Sequence, residues 1–193
     1  MKLNVAIFIF KDAEVLDFAG PFEVFSVASQ LHKYELFEVF TLAENKNPVK
    51  AINGLSVNPD HTFETAPKID ILIIAGGNGT NQLIHNTQLL EKIKGIHQNT
   101  LYTISICSGS RVLGMLGLLN DKPFCTHHEV YDDMKKIAPT GNPQPAKRFV
   151  EAGKIFTSGG ISAGIDLSFH IVEKIYGKEV ALTTAKYMEY RLL

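Results

Sequence analysis

Uninterrupted apolar runs, each followed by a stretch with helical spacing, constrain this chain more than any other feature. Residues 3–10, 35–43, 69–75 and 101–106 are strand-length and largely apolar, without the strict alternation of a half-exposed strand. A strand apolar on both sides must be covered on both sides. The pattern predicts an α/β fold in which a parallel sheet lies between two layers of helices. Gly20-Pro21 predicts a helix start, with proline at the first helical position and Phe22, Phe25 and Ser29 on one face. Helical spacing returns over 87–97, 111–119, 161–176 and 179–190, with Gly177 as a C-terminal cap. Asn53-Gly54 within 49–57 predicts a hairpin. Phe149-Val150 and residues 154–157 predict short strands around Gly153, and 139–146 is a turn-rich loop. At 193 residues with 45% apolar content, one domain over 1–193 is expected.

In open parallel sheets, ligands bind beyond the carboxyl ends of the strands. Polar or glycine residues reach three such ends: Asp17 after the first run, Gly76-Gly77 after the third, and Cys107-Ser108-Gly109 after the fourth. A lone cysteine is more often a small buried hydrophobe. Strand-Cys-helix with Ser105, Ser108, Gly109 and Ser110 around it is instead the layout of a nucleophile elbow. The start of a helix favours a thiolate there. The amides of Gly77 and Ser108 make a candidate anion-binding pair. Asp17 reads two ways, as a helix cap or as a carboxyl that holds a proton beside the thiol. Glu23 is the rival acid.

Other residues exclude more than they assign. A net charge of −1 gives no field for nucleic acid. No apolar run reaches membrane-spanning length, and the first residues read as a strand rather than a signal peptide. Cys107 and Cys125 make no disulfide framework, so the expected compartment is the cytoplasm. Cys125, His127 and His128 have no second Cys/His pair to complete a structural zinc site, and no metal is expected. One of the two histidines is expected to face the Cys107 pocket.

The residues Asp17-Phe18-Ala19-Gly20-Pro21-Phe22-Glu23-Val24-Phe25 begin a wider pattern. They are followed in order by Ala75-Gly76-Gly77, Ile106-Cys107-Ser108-Gly109, Thr126-His127 and a glycine-rich stretch from Thr157 to Asp166. This pattern resembles the ThiJ/PfpI superfamily, and most closely its branch with isonitrile hydratases and the N-terminal domains of AraC-type regulators. The resemblance implies a flavodoxin-like fold, a homodimer, Cys107 as nucleophile and Asp17 as its acid. It implies Gly77 and Ser108 as the anion-binding amides. Gly76, His127, Gly160 and Ile161 are further pocket candidates. Two departures bear on specificity. The protease branch carries histidine directly after the cysteine, and the hydratase branch commonly threonine; this chain has Ser108.

The leading expectation is a cofactor-free enzyme that hydrates a small-molecule isonitrile through a Cys107 thioimidate. The alternatives are glyoxalase- or deglycase-like carbonyl chemistry and a non-enzymatic thiol-based stress or ligand sensor. Relatives with carbonyl activity usually carry glutamate where this chain has Asp17. The AraC-type relatives continue into a DNA-binding domain; this sequence stops at Leu193 and has no basic patch, so no nucleic-acid partner is expected, and without a polybasic patch or a long apolar run no membrane partner is expected either.

Overall fold

A computed structural model describes residues 1–192. The sheet has seven strands and is almost wholly parallel. Strand β1 (Leu3–Phe8) lies inside it, paired on both sides. Helix α1 (Val15–Leu31) leads from it to β2 (Phe37–Ala43), which pairs with β1 in parallel. A short antiparallel pair follows, β3 (Val49–Lys50) and β4 (Ser56–Val57), joined through Asn53-Gly54 as the sequence predicts. Strand β5 (His61–Thr62) extends the sheet beyond β2. The chain then crosses to the other side of β1, where β6 (Ile71–Ile74) pairs with it in parallel. That reversal makes the gap between β1 and β6 a topological switch point.

Helices α2 (Thr80–Leu83) and α3 (Thr87–Asn99) lead to β7 (Tyr102–Ser105), parallel to β6. After β7 come α4 (Ser110–Met115), β8 (Pro123–Phe124), α5 (Tyr131–Ile137) and β9 (Asn142–Pro143). The short β9, inside the predicted 139–146 loop, pairs with β8. Strand β10 (Phe149–Ala152) turns through Gly153 into β11 (Ile155–Ser158), which lies parallel to β7. Helices α6 (Ala163–Tyr176) and α7 (Lys178–Tyr187) close the described chain, with Gly177 between them at φ +93°.

Alternate residues of each central strand feed opposite cores. Val5, Ile7, Ile71, Ile73, Ile104 and Phe156 pack under α1, α6 and α7. Ala6, Phe8, Leu72 and Ile74 pack under α3, α4 and α5. Burial of each large aliphatic or aromatic side chain contributes about 1.5–3 kcal/mol. This explains why apolar runs without alternation become central strands. The flavodoxin-like α/β class expected from the sequence is the class observed.

Two helix starts differ from expectation. Helix α1 begins at Val15 and carries Pro21 in its interior. Its entry is set by the Glu14 N–H, which donates to Gly76 O at 2.9 Å. Pro21 has no N–H to give the carbonyl of Asp17 four residues earlier, so its place inside the helix is a local cost that packing offsets. The second difference is at 161–162, which precede α6 rather than begin it. Ile161 has a left-handed φ of +49°, which no helix residue can have. Among the described residues, no helix is long and apolar enough to cross a membrane.

Candidate active site

The residues singled out from sequence lie at the carboxyl ends of four neighbouring strands. Asp17 is in the first turn of α1, after β1. Gly76-Gly77 follows β6, Cys107 follows β7, and Gly160-Ile161 follows β11. The cleft over these ends holds about 350 Å³. Cys107, Ser108, Gly77, His127 and Ile161 line it, together with Glu14, Asn78 and Arg111.

Cys107 is a left-handed residue, φ +54°, at the sharp turn between β7 and α4. A β-carbon at Gly109 would stand 2.5 Å from Ile74 O, so the turn needs glycine there to lie against β6. The strained elbow is held on both sides. Cys107 N–H donates to Gly159 O at 3.2 Å, and the Thr126 hydroxyl donates to Cys107 O at 2.9 Å. Backbone in this region persists only where its neighbours over-determine it.

Asp17 is wholly buried and does not cap α1. Its Oδ2 accepts the Gly76 N–H at 2.9 Å, and its Oδ1 has no hydrogen-bond partner. Burial raises its pKa from 3.8 to about 7, against the Gly76 bond and with help from the charge of Glu14. Burial, then the charge of Asp17, pushes the Cys107 thiol up to about 12. The thiolate-favouring helix start expected from sequence is therefore overruled by desolvation. A single tight turn, 107–109, separates the cysteine from α4, so no long helix points at the sulfur. Glu23 is exposed on α1 and does not compete for the role.

The expected amide pair is arranged differently. Gly77 N–H already donates to Ser108 Oγ at 2.8 Å. The backbone of Ser108 and of Ile161 favours the thiolate, by less than burial and the Asp17 charge oppose it. Ser108 Oγ in turn donates to Gly77 O at 3.1 Å and accepts from Thr80 Oγ1 at 3.4 Å. Gly77 itself, at φ +118°, lies against Asp12 O, where a β-carbon would come within 2.3 Å. His127 is the histidine that faces the cleft, while His128 is exposed. The His127 ring packs on Gly160, whose absent β-carbon would stand 2.3 Å from its Cδ2.

Arg111 is the cleft residue that the sequence reading passed over. Its guanidinium donates to Thr80 Oγ1 at 3.0 Å and is ion-paired with Asp133. The available signal was its spacing: four residues after Cys107, it shares the elbow's face of the following helix.

A family model described as the DJ-1/PfpI family matches residues 3–174. The isonitrile hydratase of Pseudomonas putida is 32% identical over 191 residues, covering 98% of this chain and 79% of that protein. The HTH-type transcriptional regulator GbdR of Pseudomonas aeruginosa is 24% identical; the match covers 97% of this chain and half of the regulator. Among solved structures, a ThiJ/PfpI family protein from Pseudomonas syringae superposes with a TM-score of 0.88 at 24% identity, covering 98% of this chain and 76% of that one. Drosophila melanogaster DJ-1beta superposes at 0.84 with 19% identity, over 99% of this chain and all of that one.

Proposed function

The chain belongs to the DJ-1/PfpI family, and from that premise we propose that it is a cysteine-dependent hydro-lyase that adds water to an isonitrile. The reading rests on one observation. An unpartnered carboxyl oxygen that ionises near pH 7 sits beside a cysteine at a strained elbow. Relationship to an isonitrile hydratase supports the substrate class.

The Asp17 carboxylate takes the thiol proton as the sulfur attacks the terminal isonitrile carbon. The same proton then passes from Asp17 to that carbon, giving a thioimidate on Cys107. Water adds to the thioimidate carbon, with Asp17 carrying its proton to the nitrogen. The carbon–sulfur bond breaks, the thiol regains a proton, and an N-substituted formamide leaves. This cycle consumes one water and uses no cofactor. The first addition places no negative oxygen on the substrate, so it makes no demand on the Gly77 amide already given to Ser108. Carbonyl chemistry on an aldehyde develops an oxyanion at once, and the Gly77 amide, given to Ser108, is not free to serve it.

A second reading, a ligand or thiol sensor, is favoured by the relationship to transcriptional regulators. Purified protein tested against an isonitrile, a glyoxal and a peptide amide, with Cys107→Ala as control, separates the readings. Formamide release that depends on Cys107 is the expected result. The proposal includes a homodimer, for which light scattering should give twice the 21.3 kDa chain mass.

A further inference from the structure

Both main-chain polar groups of Gly77 close on one side chain. The Gly77 N–H donates to Ser108 Oγ at 2.8 Å, and the Ser108 hydroxyl donates to Gly77 O at 3.1 Å. A second hydroxyl braces the first. Thr80 Oγ1 donates to Gly77 O at 2.8 Å and lies 3.4 Å from Ser108 Oγ. Arg111 Nη1 donates to Thr80 Oγ1 at 3.0 Å, so the one Thr80 hydroxyl proton is turned away from the guanidinium, toward Gly77 and Ser108. Asp133 holds the same guanidinium through Nε, at 3.2 Å, and through Nη2. Thr80, Ser108 and Arg111 are all buried, so water competes little for these bonds.

This network lies against the nucleophile. A β-carbon on Gly76 would stand 2.8 Å from Cys107 Cβ and 2.7 Å from Ser108 N, so the Gly76–Gly77 peptide abuts the elbow with no side chain between. An N–H there is placed to serve an oxygen on a carbon bonded to the sulfur. We propose that Ser108 is a specificity residue: its hydroxyl, locked by Thr80 and Arg111, holds the Gly77 N–H and denies the site an oxyanion donor, which favours substrates whose attacked carbon carries no oxygen. The role rests on Cys107 being the nucleophile proposed above, and its test needs no isonitrile. A hydroxyl that only braces the Gly77 loop would make the same bonds. Losing such a brace would loosen the site for every reagent. Losing an occupant of the amide improves the site for one class, those that leave oxygen on the attacked carbon.

The experiment is the affinity of Cys107 for isotope-labelled acetaldehyde, read by carbon NMR with Cys107→Ala as blank. The sulfur bonds to the carbonyl carbon, the C=O electron pair moves onto oxygen, and the thiol proton ends on that oxygen. The hemithioacetal so formed needs no leaving group and no co-reactant. Ser108→Ala should tighten it roughly tenfold, the worth of one added hydrogen bond. Ser108→Thr keeps the hydroxyl and should bind as wild type does. Iodoacetamide leaves no oxygen on the attacked carbon, so its rate with Cys107 should not rise in either variant. Unchanged or weaker aldehyde binding in Ser108→Ala overturns the proposal. So does an equal gain for iodoacetamide, or a Ser108→Thr variant that tightens as much. If Ser108→Ala does not fold, Thr80→Val decides: with the brace removed the adduct should tighten by a smaller factor, and unchanged binding overturns the proposal. Tighter aldehyde binding in a protein that turns over no isonitrile keeps the role of Ser108 and removes the hydratase reading.

Discussion

Asp17 and Cys107 meet over Gly76: a β-carbon built on that glycine would lie 2.7 Å from Asp17 Oδ2 and 2.8 Å from Cys107 Cβ. The two residues come from the first turn of α1 and from the elbow after β7. No side chain separates them, so the charge on one weighs directly on the other. A charged Asp17 raises the thiol, and Glu14 at the cleft wall raises Asp17. Arg111, Glu129 and His127 also line the cleft.

Gly76→Ala should disable the site. The added methyl would also stand 2.7 Å from Ser108 N, so three fixed groups would have to move. Overpacking of this kind costs about 1–3 kcal/mol. We expect a lower melting temperature and loss of turnover, with circular dichroism still native. Wild-type activity in Gly76→Ala would show that the close approach has no functional weight.

Asp17 also gives stability a distinctive pH dependence. Burial raises its pKa from 3.8 to about 7. Between those values the folded protein keeps a proton that the unfolded chain has released. Stability from this group therefore falls as pH rises through the window and levels off above about 7. Asp17→Asn has no proton to lose and keeps an acceptor for the Gly76 N–H. Its stability relative to wild type should grow between pH 4.5 and 7.5, by at most ~4 kcal/mol for a shift of about three units. Taking the difference removes the opposing slope from His97, whose pKa burial lowers. Urea melts across that range test this, and a pH-independent gap between the two proteins would contradict it.

The two cysteines set ionisation against access. Burial raises both, Cys107 to about 12 and Cys125 to about 11. Ionisation alone would favour Cys125. That sulfur, however, is fully buried and donates to Thr157 O at 3.0 Å, whereas Cys107 lines the cleft. Iodoacetamide should label Cys107 first, slowly at neutral pH. The rate should rise about tenfold per pH unit between 8 and 10. Mass spectrometry showing Cys125 labelled first would place access elsewhere.

Much of this arrangement is legible in the sequence because it depends on strand order. Apolar runs mark β1, β2, β6 and β7, and the residue after each run is delivered to the same edge. That is enough to gather Asp17, Gly76, Gly77 and Cys107 before any contact is known. What is not legible depends on neighbours distant in sequence. Nothing near Asp17 says that Gly76 will satisfy one oxygen and leave the other unpartnered. Nothing near Gly77 says that Ser108 will take its N–H. The helix-start argument for a thiolate failed for the same reason: it is local, whereas desolvation is set by the whole fold. Pro21 misled because proline favours a helix start without requiring one, and here it lies inside α1. Here Gly76 O, on another strand end, sets the entry.

Exchange of one atom group at Asp17 should separate catalysis from sensing. Asp17→Asn preserves shape and the bond from Gly76 N–H, but it cannot carry a proton between the thiol, water and substrate. General acid–base assistance typically contributes ~10²–10⁴-fold, and isonitrile turnover should fall by that order. The variant should still fold, and Cys107 should still be alkylated. Its thiol should become more reactive at pH 8, because the carboxylate charge that raises it is gone. Loss of turnover with gain of thiol reactivity is a combination that damage to the site would not produce. A sensor would show no turnover in wild type, and peroxide would convert Cys107 to a sulfenic or sulfinic acid. In that case Asp17→Asn should speed oxidation for the same electrostatic reason. Isonitrile turnover that survives Cys107→Ala would refute the covalent route, because the cycle begins with a bond from that sulfur to the substrate carbon.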